Sequence, residues 1–298
     1  MKKIKLLIIK LARKGIIKLS DKKFLDICFQ YYLGRKINWD NPKTYNEKLQ
    51  WLKVYDRKDI YTMMVDKYEA KKYVATIIGD EYIIPTLGVY ENFDDIDFSK
   101  LPNKFVMKCT HDSGGLVICT NKKNFDYRKA RKKIENSLKV NYYNCWREWP
   151  YKNVKPRIII EKYLKSDNST GLDDYKFFCF NGEVKLLFVA TDRMNTKEET
   201  KFDFFDANYN HLPIRNGHPN SKSIPPKPKK FEEMKRIASL LSQGIPHLRV
   251  DLYESNGKIY FGELTFSHWA GMVPFDPKTY DELLGSWIDI KNIRKEGE

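Results

Sequence analysis

Residues 249–266, RVDLYESNGKIYFGELTF, are the most informative stretch of this chain. Apolar residues flank the Asn256-Gly257 pair on both sides, which predicts two strands joined by a hairpin turn. Asp251 lies on the first strand and Glu263 on the second. A buried carboxylate is costly unless a cation meets it, and two oxygen ligands with room for phosphate and water suit Mg²⁺. The alternative is an amphipathic hairpin whose acidic side chains face water.

Register decides between these two interpretations. Side chains alternate between the faces of a strand, so a two-residue turn would pair Asp251 with Gly262 and send Asp251 and Glu263 to opposite faces. A three-residue loop or a β-bulge would pair Asp251 with Glu263 instead. A shared metal site therefore requires an odd loop or a bulge in this hairpin.

Composition describes a folded, basic protein. The 298 residues are 42% hydrophobic and 14% aromatic, which is typical of a chain with a substantial core. A net charge of +15 favours anionic partners such as nucleotides, acidic glycans, nucleic acid or a membrane surface. The five cysteines form no CxxC pair, so reduced thiols and a cytoplasmic location are expected.

The pattern of apolar residues and lysines at the N-terminus predicts an amphipathic helix. Its continuous apolar run is too short to span a membrane. Its apolar face is formed by Ile4, Leu7, Ile8, Leu11 and Ile16, with lysines elsewhere. One interpretation is that this face packs on the protein. The other is that residues 1–20 make peripheral contact with the inner face of a membrane.

Periodicity and turn signals predict alternating helices and strands, an α+β (or α/β) chain. Helices are expected from Asn41-Pro42 and over 64–79, 125–140 and 231–244. Strands are expected over 104–109, 116–120 and 157–164, with a hairpin over 175–193. Loops are expected over 111–115, 166–174 and 211–231, and the chain ends in a tail.

Several of these segments carry the chemistry of a nucleotide site. Lys108 lies on a strand before the loop HDSGG, whose backbone N–H groups can surround a phosphate. A buried strand ends in Glu161, and Asp174 and Lys176 share a strand face in the hairpin that ends at Arg193. Each part alone has an ordinary alternative, a strand-edge lysine or a plain turn. The GxxxxGK[ST] and GxGxxG phosphate motifs are absent.

In this order the segments resemble the ATP-grasp superfamily, and more narrowly its TupA-like branch from bacterial surface-polysaccharide loci, named after teichuronopeptide biosynthesis. The resemblance is carried by NPKTYNEKLQW, VDKYEAKKYV, EYIIPTLGVY, LPNKFVMKCTHDSGG, IIIEKYL, DYKFFCFNGEV, RVDLY and YFGELTF. It implies an ATP-grasp fold, in which two mixed β-sheet subdomains hold the nucleotide. The implied regions are a helical N-terminal extension (1–60), a lid-bearing subdomain (61–165) and a catalytic subdomain with the metal hairpin (166–298).

The resemblance also implies a role for each matching residue. The ATP-binding set is Lys67 and Lys108 at the phosphates, Ser113, Gly114 and Gly115 in the mobile loop over the γ-phosphate, Glu161, Lys162 and Leu164 at the adenine edge, and Asp174 at the ribose. The catalytic cations near the transferred phosphate are Lys176, Arg193 and Arg249. The Mg²⁺ ligands are Asp251 and Glu263. Many relatives have E-x-N at the second ligand; here Thr265 replaces the Asn and is expected to act through water.

The implied reaction is ATP-dependent ligation of a carboxylate to an amine through an acylphosphate. The implied partners are a uronic-acid carboxyl of a bacterial surface glycan (capsule, O-antigen or teichuronic acid, or its nucleotide- or lipid-linked precursor) and an amino acid or small amine. Substrate contacts are expected from Thr265, Ser267, His268, Gly271 and Arg215. Trp269 either stacks on a sugar or packs its own loop down, and the basic 211–231 loop either binds the glycan or is a solvated insertion.

Three other functions compete with this one. A glycosyltransferase from the same kind of locus would need a DxD-type metal motif, which is not found in a suitable loop. A nucleic-acid-binding protein would gather its basic residues, whereas here they are spread along the chain and the aromatic residues lie in apolar strands. An ATP-grasp kinase that stops at phosphate transfer remains open.

Overall fold

The computed structural model describes residues 2–166, 171–195, 197–291 and 293. Its helices are α1 (Lys2–Arg13), α2 (Asp21–Tyr32), α3 (Tyr45–Tyr55), α4 (Ile60–Val65), α5 (Glu69–Ile78), α6 (Tyr127–Leu138), α7 (Tyr143–Trp146), α8 (Phe231–Leu241) and α9 (Thr279–Trp287). Its strands are β1 (Thr86–Tyr90), β2 (Phe105–Cys109), β3 (Leu116–Cys119), β4 (Ile158–Lys162), β5 (Asp174–Phe180), β6 (Glu183–Thr191), β7 (Lys201–Asp206), β8 (His211–Leu212), β9 (Leu248–Ser255) and β10 (Lys258–Thr265). Residues 167–170 of the expected 166–174 loop and the last five residues of the tail lie outside the described residues.

The strands form two sheets with antiparallel pairings throughout the described chain. The small sheet has the order β1-β4-β2-β3, and the large sheet has the order β10-β9-β5-β6-β7-β8. The large sheet is built mainly from neighbouring hairpins, whereas in the small sheet β4 makes long-range pairings with both β1 and β2. The carboxylate-bearing hairpin is the edge of the large sheet and lies next to β5.

The small sheet has one apolar and one polar face. Phe105 and Met107 on β2 pack with Ile134 of α6 in a buried cluster. Because side chains alternate along a strand, Val106 and Lys108 point to the opposite face. That face lines a cleft toward the large sheet.

The large sheet is covered by helices on both faces. On one side, Phe177 of β5 shares a core with helices α4, α5 and α8. On the other, Phe178 and Phe188 share a core with Tyr45 of α3 and Leu284 of α9. Helices α4 and α5, which belong by sequence position to the region of the small sheet, therefore pack against the large one.

The N-terminal helix packs through a different face from the expected one. Ile9 and Ala12 are buried against α2, whereas Ile4, Leu7 and Ile16 are exposed. The helix therefore packs on the protein, but through a face rotated from the expected one, of which Ile8 and Leu11 are half-buried. In the described part of the chain, no helix is long and apolar enough to cross a membrane.

Several element boundaries also differ from expectation. Helix α3 begins at Tyr45 rather than at Asn41-Pro42, because Thr44 and Glu47 form a capping box there. The expected 64–79 helix is two helices broken between Val65 and Glu69, where Asp66 accepts hydrogen bonds from the backbone N–H groups of the next turn. Strand β7 and helix α9 were not anticipated.

Candidate functional site

The β9–β10 hairpin has both a two-residue turn and a bulge. Ser255 pairs with Lys258 around Asn256-Gly257, and both turn residues have positive φ (52° and 69°), as a type I′ turn requires. The register then shifts between Phe261 and Glu263, so that Glu263 lies opposite Asp251. This bulge meets the condition stated above for a site shared by Asp251 and Glu263.

Glycine permits this bulge. A Cβ at Gly262 would lie 2.8 Å from the Tyr253 ring and 3.0 Å from the backbone oxygen of Asp251. Both distances are shorter than ordinary van der Waals contact, and the second atom belongs to backbone that cannot rotate away. The residue between Phe261 and Glu263 must therefore be small.

Asp251 lies at the centre of a buried charge network. It is 0% exposed, and Arg249 reaches its two carboxylate oxygens through Nε and Nη2, each at 2.7 Å. Lys176 contacts the same carboxylate and also lies 2.7 Å from Asp174. Burial raises the pKa of Asp251, while Arg249 and Lys176 oppose that shift. The network neutralises a carboxylate that has no access to water.

Glu263 is the accessible member of the pair. Its side chain is 36% exposed, and one oxygen accepts a hydrogen bond from Arg249 Nη2 at 3.1 Å. Burial would raise the pKa of Glu263, but Lys176, Lys67 and Arg249 together lower it to about 2. The Thr265 hydroxyl accepts from Arg249 at 3.0 Å and stands 3.5 Å from Glu263. Thr265 thus contacts the Glu263 carboxylate, and its action through water at the metal stays a prediction.

The donor set fits a hard divalent cation. Among the residues that the structure describes, no group of three or more His, Cys, Asp or Glu side chains could hold a metal. The protein offers two adjacent carboxylates, Asp251 and Glu263, which leaves several coordination positions. Mg²⁺ keeps such positions for water and phosphate oxygens, so this pair suits Mg²⁺ delivered with a nucleotide.

The small sheet contributes a second buried ion cluster. Glu161 at the end of β4 pairs with Lys108 at 2.6 Å and also with Lys71 of α5. Burial opposes ionisation of Glu161, but the two lysines lower its pKa to about 2. Burial would lower the pKa of Lys108, but Glu161 raises it, and Glu263 across the cleft adds a smaller contribution in the same direction.

Between the sheets lies a cavity of about 160 Å³. Its apolar walls come from both sheets: Ile84, Val106, Leu116, Ile118, Leu164, Leu172, Met194 and Tyr253. Lys108, Glu161 and Lys162 also line it, and the adenine-edge role of the last two stays a prediction. The backbone N–H of Lys162 donates to Pro85 at 2.9 Å, so this donor is already engaged. Leu164 is buried in the cavity wall.

Asp174 lies deeper than a ribose contact would suggest. It is fully buried and pairs with Lys176 and with Arg193, whose Nη1 is 2.7 Å away. Arg193 is partly exposed and lines the cavity, and Asp174 raises its pKa. Contact between Asp174 and a ribose would require these cations to move, so the ribose role stays a prediction.

The Gly-rich loop (residues 111–115) is anchored at both ends. The His111 ring is buried and lies 3.1 Å from the Val140 carbonyl, while the backbone N–H of Gly115 donates to the Asp112 carboxylate at 3.0 Å. Ser113 and Gly114 are exposed. Lys67 reaches the Asp112 carbonyl at the base of this loop. The exposed part is thus two residues long.

The expected substrate loop is organised around His268. That ring is buried, with Nδ1 2.9 Å from Arg249 and Nε2 2.8 Å from the Asn216 side-chain oxygen. Both ring nitrogens are therefore engaged within the protein. His268 is a positioning residue for Arg249, and its predicted direct substrate contact is not supported by this geometry.

The neighbours of His268 divide into exposed and internal residues. Trp269 is 41% exposed and stacks on Phe202 with ring centroids 6.1 Å apart. Ser267 and Gly271 are buried. Arg215 is exposed, and its backbone pairs with Asp276 near the same loop. Of this expected set, Trp269 and Arg215 present side chains to solvent.

Sequence reasoning missed three residues of this region. Lys71 shares Glu161 with Lys108; its signal was a second lysine in the VDKYEAKKYV segment. Tyr253 lines the cavity and contacts Arg193, and it follows Asp251 at the same-face spacing of a strand. Glu148, in the irregular Tyr- and Trp-rich stretch, is a buried acid, and no spacing rule marked it.

The chain is similar in sequence to one protein family and in structure to several solved proteins. A sequence model of the TupA-like ATP-grasp family matches residues 47–289. No curated protein matched the chain. A D-alanine–D-alanine ligase from Helicobacter pylori is similar in structure, with a TM-score of 0.44 and 14% identity over 82% of this chain and 69% of that one.

Two further solved structures show weaker coverage. The D-alanine–D-alanine ligase from Bacillus anthracis complexed with ATP has a TM-score of 0.39 and 17% identity over 68% of this chain and 55% of that one. The ATP-grasp ligase PsnB complexed with a minimal precursor has a TM-score of 0.40 and 9% identity over 70% and 54%. The family assignment rests on the sequence match, which covers most of the chain. The chain belongs to the TupA-like ATP-grasp family, whose enzymes use ATP and Mg²⁺.

Proposed function

We propose that this enzyme joins a uronic-acid carboxyl of a bacterial surface glycan to the amino group of an amino acid or small amine. The observation that carries the proposal is the cleft itself. Two adjacent carboxylates, Asp251 and Glu263, stand among cations from both sheets, in a chain of the TupA-like ATP-grasp family. Such a site suits phosphoryl transfer from ATP to a substrate carboxylate.

The reaction proceeds in two balanced steps. A carboxylate oxygen attacks the γ-phosphorus, the bond to the β-phosphate oxygen breaks, and an acylphosphate and ADP result. The amine nitrogen then attacks the acyl carbon, the bond from that carbon to the phosphate oxygen breaks, and inorganic phosphate leaves. When bound, Mg²⁺ neutralises charge on the phosphates.

The protein's own residues would position the nucleotide and neutralise the charge of its phosphates. Asp251 and Glu263 would hold the cation, while Lys67 and Lys108 lie where phosphate oxygens could replace their present carbonyl and carboxylate partners. Arg249 is fixed by four neighbours and points at Glu263, so it is preorganised toward the transferred charge. Closure of the cleft would exclude water, which competes with the amine for the acylphosphate.

Features on the large-sheet side support a glycan as the carboxylate donor. The exposed ring of Trp269 offers a flat apolar surface of the kind that sugar rings stack on. Arg215 is exposed near the same loop, and the chain carries a net charge of +15. Both features favour an anionic sugar. A cytoplasmic location, with contact of residues 1–20 at the inner face of a membrane, completes the proposal.

ADP release with Mg·ATP is the direct test, run as a matrix of uronate sugars against amines. UDP-glucuronic acid and free glucuronic and galacturonic acids serve as carboxylates, and UDP-glucose, which lacks the carboxyl, is the matched control. The proposal predicts ADP release that needs both a uronate and an amine. Hydroxylamine should trap the acylphosphate as a hydroxamate, and ¹⁸O from the carboxylate should appear in phosphate.

The competing functions give different results in the same assay. A kinase would release ADP with UDP-glucose and leave a stable phosphorylated product that hydroxylamine does not capture. A glycosyltransferase would consume UDP-glucose or UDP-glucuronic acid without ATP. Either result, obtained with protein that binds ATP, would overturn the ligase proposal.

A further inference from the structure

Glu148 is a buried carboxylate without a partner. It is 4% exposed, and among the described residues its side chain makes no hydrogen bond and no ion pair. The other deeply buried acids of this region are paired: Asp251 with Arg249, Asp174 with Lys176, and Glu161 with Lys108. An unpaired buried carboxylate is costly, so it calls for a functional explanation.

The backbone around Glu148 is held firmly. Arg147 has a left-handed conformation (φ 55°), its side chain pairs with Asp21 of α2, and its guanidinium lies 4.4 Å from the Phe24 ring. After Glu148, the turn Trp149–Tyr151 closes with a hydrogen bond from the Tyr151 N–H to the Glu148 carbonyl. The carboxylate is therefore kept inside by anchors on both sides, although it has no partner of its own.

This segment spans the candidate site. Tyr142, at its start, accepts a hydrogen bond from Ser113 of the Gly-rich loop at 3.1 Å. Pro150, at its end, shares a small cavity with Lys53, Phe266 and Ser267, directly after β10. The segment that carries Glu148 thus contacts the loop expected to cover the phosphates at one end and the residues after the metal hairpin at the other.

The charges that face Glu148 come from three elements. Burial raises the pKa of Glu148 to about 7, Lys53 of α3 and Arg249 of β9 oppose the shift, and Glu263 of β10 adds to it. The neighbouring titratable groups on its own segment are Tyr142, Cys145 and Tyr151. Lys53 is already engaged by the Gln50 and Ala270 oxygens, at 2.9 and 2.7 Å, and Arg249 by its own network. Neither cation forms an ion pair with Glu148, so its carboxylate can accept a further cation from outside the protein.

We propose that Glu148 receives the ammonium group of the amine substrate. The inference rests on the ligase function proposed above and deepens it by naming the amine subsite. A primary ammonium fits because it is a compact cation with three donors, and a carboxylate oxygen at this position would hold it beside the transferred phosphoryl group. Neither the metal hairpin nor the nucleotide cavity uses Glu148.

Thermal unfolding at about pH 8 gives a test that needs no substrate. Glu148→Gln removes an uncompensated buried charge and keeps the side-chain shape, so the Tm should equal or exceed that of the wild type. Glu47→Gln is the matched control, because Glu47 is also a buried glutamate but has Arg35 2.7 Å away and accepts three backbone N–H bonds. That variant should lower the Tm. A Tm for Glu148→Gln below wild type would show a structural role and overturn the proposal.

Turnover measured with hydroxylamine and with amines distinguishes a role of Glu148 in amine binding from a role in acylphosphate formation. Hydroxylamine is largely uncharged near neutral pH, so it needs no carboxylate to hold it. With uronate and Mg·ATP, Glu148→Gln should form hydroxamate at the wild-type rate. With the twenty amino acids and ethanolamine as amines, it should show a KM at least tenfold higher for each amine that the wild type uses.

The outcomes distinguish this inference from the proposed function. An unchanged amine KM, or an equal loss with hydroxylamine, overturns the role of Glu148 and leaves the ligase reaction standing. Hydroxamate formation by the wild type without use of any of these amines also overturns it. Absence of both ADP release and hydroxamate in the wild type overturns the proposed function itself.

Discussion

Asp251 and Glu263 face each other across the β9–β10 hairpin because one extra residue, Gly262, is inserted between them and the turn. Without the bulge, the tight Asn256-Gly257 turn would direct the two carboxylates to opposite faces of the sheet. With it, one carboxylate is fully buried by its cationic neighbours and the other remains partly open. This asymmetry determines how the two residues respond to substitution.

Glu263→Gln should lower turnover by orders of magnitude and lower the Tm less than Asp251→Asn does, because the Glu263 side chain is 36% exposed and water screens its ion pairs. Asp251→Asn should lower turnover and also destabilise the protein by about 3–5 kcal/mol, because it breaks a fully buried pair. Turnover and Tm measured on both variants check the difference; wild-type turnover in Glu263→Gln would contradict the metal assignment.

Gly262→Ala should disrupt the bulge, since a Cβ there would lie 2.8 Å from the Tyr253 ring and 3.0 Å from the Asp251 carbonyl. We expect weaker Mg²⁺ dependence of ATP binding and reduced turnover. Gly257→Ala is the control: it strains a positive φ at the turn, by about 1 kcal/mol, but meets no atom within 4 Å. Titration of ATP binding with Mg²⁺ should separate them, and equal behaviour of the two variants would argue against the bulge as the device that sets the site.

Acid stability should depend on Glu161. Its pKa on folding falls from the usual 4.5 to about 2, so the stability it contributes is fully present above pH 4.5 and is lost as the pH falls toward 2. The contribution is on the order of 3 kcal/mol. Glu161→Gln should flatten the fall in unfolding free energy over this range. Glu91→Gln, which removes an exposed pair with Lys155, should leave the slope unchanged; an unchanged slope in Glu161→Gln would contradict the cluster.

Hydrogen exchange should identify the moving part of the Gly-rich loop. The amides of Ser113 and Gly114 should slow when a non-hydrolysable ATP analogue binds, since these two residues are exposed. Gly114→Ala has 3.7 Å to its nearest atom and should keep ATP affinity. Gly115→Ala would place a Cβ 2.6 Å from Cys109 Sγ and should destabilise the loop by about 1–3 kcal/mol. Equal exchange at Ser113 and Gly114 with and without nucleotide would remove the lid role.

Substitutions of His268 and Trp269 should affect different kinetic constants. His268→Ala removes a buried support of Arg249 and should lower kcat for every substrate pair, by about tenfold or more. Trp269→Ala should raise the KM for the uronate sugar, with the KM for ATP unchanged, because the exposed ring is available for stacking. Steady-state kinetics with each substrate varied in turn tests both. A rise in the ATP KM alone for Trp269→Ala would assign that loop to the nucleotide.

The sequence by itself determined the structural features that depend on residues close together in the chain. The Asn-Gly turn, the apolar alternation and the ordered motifs were sufficient for the family, for the two strands that carry Asp251 and Glu263, and for most of the helices and strands. They also stated the condition for a metal site, an odd loop or a bulge. These features depend on neighbouring residues, so a linear pattern records them.

Only the tertiary structure decided which side chains share an environment. The buried partners of Asp174, the engagement of both His268 nitrogens and the packing of α4 and α5 on the large sheet all join segments that are distant in sequence. Glu148 is the clearest case. In the sequence, nothing distinguishes this acidic residue in an irregular stretch. Its burial without an ion pair results from folding, which brings charged residues of α3, β9 and β10 near it. Burial and pairing are properties of the packed chain, because the cost of a charge depends on everything that excludes water from it.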